Sequence, residues 1–283
     1  MVVRRLAVFA SVVLAGGCSG DDGQTSGQSA SLSAQALVTG PLRNGRVSFD
    51  QLRLDDGTGA VREHVGDTMT DAEGRFSFSD LGTKNGLFRL TVRGGEFDDL
   101  ATGATVVLDP SAEITSLLWI DLFETREGAV VNPVSALVDV LARQRLSSGN
   151  AANIGEARDI AADHLHKHFG DLDWSRIEPA SLEIPAVSPV DEWRAAALLG
   201  GYALLADDIR TASGSSVSEG NAYTMTVALA QDVSTPPFDG NDQDERGTGL
   251  QIGECPAVDP SCVVPPETAT FCPRGACRAL CDA

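Results

Sequence analysis

Five cysteines crowd the end of the chain, at Cys255, Cys262, Cys272, Cys277 and Cys281. In an oxidising compartment such a cluster pairs into disulfides. Two bridges would staple a Pro-containing tail with little core of its own, each contributing about 2–4 kcal/mol. Zinc is the rival reading. The last two gaps enclose four and three residues, which is loose for a zinc knuckle. The odd count leaves one free thiol, a bridge to another chain, or a partner cysteine beyond Ala283. A second candidate is the pair His164 and His168, one helical turn apart and on one face. With Asp163 or Asp171 nearby, such a pair can hold a transition metal. The residue after His164 is Leu165 and not Glu, so the zincin arrangement is missing. The plainer reading puts both histidines at the border of a helix whose buried stripe is Ile160, Leu165 and Phe169. A third candidate is the run Phe238–Glu245, where Asp239, Asn241, Asp242 and Asp244 supply the hard oxygens that calcium prefers. Asp244 stands where the turn of a calcium loop needs glycine, and Leu250 where a bidentate Glu would close it. A solvated acidic linker is the plainer reading.

Catalytic signatures are scarce. No Gly-x-Ser-x-Gly elbow, phosphate-cradling Gly-Lys loop or dinucleotide-binding glycine triplet occurs. Asp98-Asp99 and Asp207-Asp208 are adjacent carboxylates, whose side chains must diverge on a strand or a helix. His64 stands isolated in the sequence. The expectation is therefore a non-catalytic protein with no cofactor, calcium in the acidic loop being the one exception considered. Two other readings stay open. One is a hydrolase or metal-dependent enzyme using the helical segment. The other is a receptor for a carbohydrate or small ligand, with Trp119, Trp174 and Trp193 as stacking platforms or, more simply, as core residues.

Charge and the first residues set the compartment. The chain carries 40 acidic and 21 basic residues, a net charge of −19. Such acidity repels phosphate backbones and argues against nucleic acid as a partner. Met1 to Arg5 is basic, Leu6 to Ala15 is apolar, and Gly16-Gly17-Cys18 follows. That is the layout of an export signal, too short to span about 30 Å of hydrocarbon. Leu14-Ala15-Gly16-Gly17-Cys18 resembles a bacterial lipobox. The resemblance implies cleavage before Cys18 and a lipid on that cysteine, although Ala15 occupies the usual leucine position. Ser19 after the cysteine is compatible, by the enteric sorting rule, with the outer membrane. Loss of Arg4 and Arg5 with the leader leaves 19 basic against 40 acidic residues, a charge of −21. The implied partners are the membrane itself, through the lipid, and an envelope protein or glycan.

These residues need elements to carry them. Ser19–Ser33 is polar and small and reads as a flexible tether. Residues 34–125 read as short strands between turns: Asp55-Asp56-Gly57 and Thr70–Gly74 mark turns, and Phe76/Phe78 and Phe88/Leu90/Val92 alternate as inward faces. Leu87 is the one apolar residue out of phase. The stretch Thr70-Asp71-Ala72-Glu73-Gly74-Arg75-Phe76-Ser77-Phe78, with Leu87–Gly95 after it, resembles the carboxypeptidase regulatory-like, transthyretin-like β-sandwich. That family implies an antiparallel sandwich serving as a binding or spacing module. Residues 126–235 read as helical. Asn132-Pro133 caps a first helix, a second covers about 154–169, a third runs from Ser188-Pro189 to about Arg210, and a fourth covers 218–233. Gly200-Gly201 in the third suggests close packing or a kink. Four such helices can share a buried face as a small bundle. Residues 236–283 form the acidic loop and Cys-rich tail. The fold class expected is α+β in several parts, and the whole resembles uncharacterised lipoproteins of myxobacteria.

Overall fold

The computed structural model describes residues 31–79, 81, 84–120, 126–168, 172–175 and 190–234. Cys18, the acidic loop with Asp239, Asn241, Asp242 and Asp244, and the five C-terminal cysteines lie outside the described residues. The described part is α+β, with nine strands followed by four helices. The strands are β1 (Leu32–Ala36), β2 (Arg46–Leu52), β3 (Val61–Met69), β4 (Arg75–Phe78) and β5 (Gly86–Arg93). After them come β6 (Glu96–Asp98), β7 (Thr105–Val107), β8 (Glu113–Ile120) and β9 (Arg126–Val131). They form a three-stranded sheet β4-β1-β9, a four-stranded sheet β3-β2-β5-β8 and a hairpin β6-β7.

The turn before β4 shows how the sequence sets local structure. Asp71 Oδ1 accepts from the amides of Glu73 (3.0 Å) and Arg75 (2.7 Å), closing the turn. Gly74 has φ +72°, and a Cβ there would lie 2.5 Å from the carbonyl oxygen of Ala36. Only glycine fits both demands. The turn delivers Phe76 and Phe78 to the interior. Phe78 of β4 meets Phe49 of β2 at 5.0 Å between ring centres, and Phe49 stacks on Phe88 of β5 at 4.9 Å. The two sheets thus face each other through aromatic contacts.

In the four-stranded sheet, β5 and β8 are buried on their other side as well. Leu87 and Thr91 of β5 are buried although they point away from Phe88, Leu90 and Val92. What covers them is helical. Helix α1 (Pro133–Ser147) and α2 (Ile154–His168) pack together, and α1 lies on β8. Helices α3 (Val190–Ser213) and α4 (Ala222–Ser234) complete the set. Side chains of α1, α2 and α4 belong to one apolar core with both sheets. The apolar faces expected to meet one another as a bundle therefore also meet the sheet, and Leu87 is out of phase because its side of the strand has a cover too. No helix among the described residues is long and apolar enough to cross a membrane.

Several boundaries differ from expectation. Strand β1 begins at Leu32, inside the stretch read as tether. β9 lies past residue 125, where the sandwich was expected to end. It returns to pair parallel with β1, so the three-stranded sheet is mixed and not purely antiparallel. The cap at Asn132 is as expected. Its Oδ1 accepts from Ser135 N (2.9 Å), and Ser135 Oγ accepts from Asn132 N (2.9 Å). Helix α4 starts at Ala222 and not at Ser218, because Asn221 and Thr224 form the same reciprocal cap there. Helix α3 runs unbroken through Gly200 and Gly201, and nothing lies within 4 Å of a Cβ built at either, so close packing does not explain them. On α2 the buried stripe is Ile154, Ala157, Ala161, Ala162 and Leu165, while Ile160 is 36% exposed.

One charged contact crosses from sheet to helix. Asp139 of α1 is fully buried, and Arg89 of β5 donates to it from Nη2 at 3.1 Å. Arg143, about half exposed, approaches the second oxygen at 3.1 Å. Removing one partner of a buried pair strands the other charge. Asp139→Ala is expected to lower the unfolding free energy by about 3–5 kcal/mol. Arg143→Ala is expected to cost under about 1 kcal/mol, since its guanidinium is solvated. Urea unfolding followed by circular dichroism measures both, and equal small losses would contradict this role for Asp139.

Candidate functional site

The central strand of the three-stranded sheet is β1. Its register pairs Ser33 with Ser77 and Gln35 with Arg75 of β4. Leu32, Ala34, Ala36, Phe76 and Phe78 fill the interior, so alternation sends Ser33, Gln35, Arg75 and Ser77 to the outer face. There they floor an open groove of about 430 Å³. The end of β3 forms one wall with Thr68 and the exposed Met69. Across the floor, Gly128 marks the β9 side. It has φ +74° and sits where the β1–β9 register shifts.

The chemistry of this floor is hydrogen bonding. Gln35 Nε2 donates to the carbonyl of Glu73 at 2.8 Å, which fixes its carboxamide. Ser33, Ser77 and Thr68 offer hydroxyls that both donate and accept. Arg75 and Asp71 are the one cation and the one acid among the lining residues, and the Asp71 carboxylate already holds the β4 turn. A surface of this kind suits a ligand rich in hydroxyls or amides, gripped without covalent chemistry.

Those of the candidate residues from the sequence that are described lie elsewhere. His164 is exposed on α2, and the side chain of His168 is outside the described part. Among the described residues no group of three or more His, Cys, Asp or Glu side chains could hold a metal ion. Trp174 is 1% exposed and packs with Val134, Leu172, Ala195 and Leu199, so it offers no face to a ligand. Its backbone is held by Asn132, whose Nδ2 donates to the Trp174 carbonyl at 2.8 Å. Trp119 is half-buried, its Nε1 3.4 Å from Asp159 Oδ1. The side chain of Trp193 is outside the described part. Asp98 and Asp99 diverge as expected. Asp98 accepts from Thr105 Oγ1 (2.7 Å) and both Arg43 Nη atoms (2.9 Å), and these partners, Thr105 first, hold its carboxyl below the usual range. Asp99 is buried and caps its own turn through Ala101 N and Thr102 N.

Sequence reasoning missed one cluster. His64 is not isolated. Its Nδ1 lies 2.8 Å from Asp50 Oδ1, and its Nε2 lies 3.4 Å from Asp67 Oδ2. Asp50 stands opposite His64 in the β2–β3 pairing, a neighbour that linear spacing does not reveal. Asp67 is shared with Arg46 at 3.3 Å. The groove was missed for a related reason, since its floor comes from three strands far apart in the chain.

Neither a family model nor a curated protein matches the sequence. Among solved structures the chain is similar to one from Pseudomonas aeruginosa described as a "putative carbohydrate binding protein". The identity is 14%, the match covers 37% of this chain and 88% of that one, and the TM-score is 0.25. A likeness that slight fixes neither fold nor ligand.

The hydrogen bond to Asp50, then the charges of Asp50 and Asp67, raise the His64 pKa above 6.5. The stability drawn from the charged imidazole is therefore fully present below pH 6.5 and is lost as pH rises through the folded-state value. A proton NMR titration should place the His64 midpoint above 6.5, and Asp50→Asn should move it back down. A midpoint unmoved by Asp50→Asn would contradict the pairing.

Proposed function

We propose that this chain is a lipid-anchored protein of the cell envelope whose body is a non-catalytic binding or spacer module. Cleavage before Cys18 and acylation of its thiol hold it to a membrane, with the outer membrane favoured by Ser19. The body then stands outside the cytoplasm on the short polar tether, where the five C-terminal cysteines can bridge. The observation that carries the binding role is the groove: about 430 Å³ floored by side chains that hydrogen-bond. Its hydroxyl and amide groups match an envelope glycan or a protein backbone better than an apolar or strongly charged ligand.

The transthyretin-like, carboxypeptidase regulatory-like reading of the strands belongs to the same proposal. Two facing sheets joined through Phe49 and Phe78 support it, as does the turn at Asp71–Gly74 leading into β4. Modules of that kind display a surface more often than they catalyse. The acidic balance of the chain keeps such a body soluble and turned away from phosphate polymers.

Two measurements test the proposal. In cells fed an alkyne fatty acid, the wild-type chain should take up label and Cys18→Ala should not; equal labelling would rule out the anchor. On intact or gently opened cells, a photo-crosslinking residue at Ser77 should capture envelope material that the same residue at the exposed turn position Thr58 does not. Equal capture at both positions would rule out the groove as the binding face.

A further inference from the structure

A second concavity lies where β8, α1, α2 and residues 172–175 meet. It is small, about 10 Å³, and its lining is mixed, with Ser135, Asp173 and Ser175 beside Leu117, Val138, Ala162 and Trp174. Ser116 of β8 lines it and is 1% exposed, and its Oγ has no hydrogen-bond partner in the protein. Arg158 of α2 lines it from the other side. Its Nη1 reaches Asp159 Oδ1 at 2.9 Å and its Nη2 reaches Ser175 Oγ at 3.5 Å, while its buried Nε also has no partner. The other polar side chains around the cavity are occupied. Ser135 Oγ serves the α1 cap and the Thr115 carbonyl, and Asp173 Oδ1 accepts from Ser175 N and Oγ.

Two buried polar atoms without partners, on residues from different elements that line one cavity, are costly unless something bridges them. The size decides what. About 10 Å³ is the room one water needs, and a space offering two or more hydrogen bonds is where buried water settles. A halide is larger, and the Asp173 carboxylate on the cavity wall repels an anion. We propose that this cavity is a binding site for a single ordered water. It accepts from Arg158 Nε–H and hydrogen-bonds Ser116 Oγ. The water is then a structural component that joins the four-stranded sheet to α1, α2 and the segment that buries Trp174.

The chemistry sets the partner list. The Nε–H can only donate, so the bridging atom must accept there. The serine hydroxyl can do either, so one water satisfies both groups, whereas an ammonium or metal cation could not accept from the guanidinium. This inference does not depend on the groove or on the lipid anchor.

The test is made on the purified full-length chain. A crystal structure at a resolution that orders solvent should show density about 3 Å from both Ser116 Oγ and Arg158 Nε. In solution, oxygen-17 relaxation dispersion should count one fewer long-lived water in Ser116→Val, where a methyl fills the space and the hydroxyl is gone. Ser116→Ala, which fills less, is the second variant if Ser116→Val does not fold; it should shorten the residence time of the same water. A cavity without density in the wild-type crystal would overturn the proposal. So would an unchanged dispersion amplitude and residence time in a folded variant. An anomalous peak at the site after a bromide soak would overturn it in favour of an anion.

Discussion

Strands β5 and β8 bury both of their faces, and the rest of the described fold follows from that. A sheet apolar on one side needs one partner layer; a sheet apolar on both needs two. The three-stranded sheet covers the side that carries Phe49 and Phe88. Helix α1 must cover the other, and it can do so because Asn132 and Pro133 start it immediately after β9. The chain therefore runs from the outer sheet directly into the opposite layer, passing the edge of β8. Ser135 seals this crossing, since the hydroxyl that closes the helix cap also donates to the Thr115 carbonyl on β8.

This double burial sharpens the role of the charged pair between Arg89 and Asp139. Arg89 projects from β5 on the helix side, where an uncompensated cation would disfavour packing, and Asp139 arrives from α1 to meet it. Such a contact adds little net stability over an apolar pair of the same volume. It does select one seating of the helix, because sliding α1 by a turn would carry Asp139 away and leave Arg89 without its carboxylate. Registry is thus enforced by the penalty for the wrong arrangement.

Much of this was legible in the sequence, and the unread parts share a cause. The turn at Asp71–Gly74 and the cap at Asn132-Pro133 are local, written in residues whose conformational demands are strong, and both were read correctly. Leu87 already held the clue to a covered second face, as an apolar residue on what looked like the solvent side. β9 was not legible because Arg126-Glu127-Gly128-Ala129-Val130-Val131 has weak alternation and pairs with a strand nearly the whole described sheet away. The Asp50–His64 contact and the groove floor were hidden for the same reason, since cross-strand neighbours have no fixed spacing. Ile160 was misplaced by a different effect. The buried stripe of α2 runs through the small Ala157, Ala161 and Ala162 with Ile154 and Leu165, which leaves Ile160 on its border.

The groove and the fold meet in β1. It is both the floor of the candidate binding face and the centre of its sheet, paired antiparallel to β4 on one side and parallel to β9 on the other. It is also the first strand of the described chain. Any tension transmitted from residues before Leu32 enters the protein along this strand and is shared by both ladders at once. Force applied that way loads hydrogen bonds in shear, so several must fail together, whereas peeling an edge strand breaks them one at a time. A pull from the N-terminal side thus meets a strand held by two ladders and not by one.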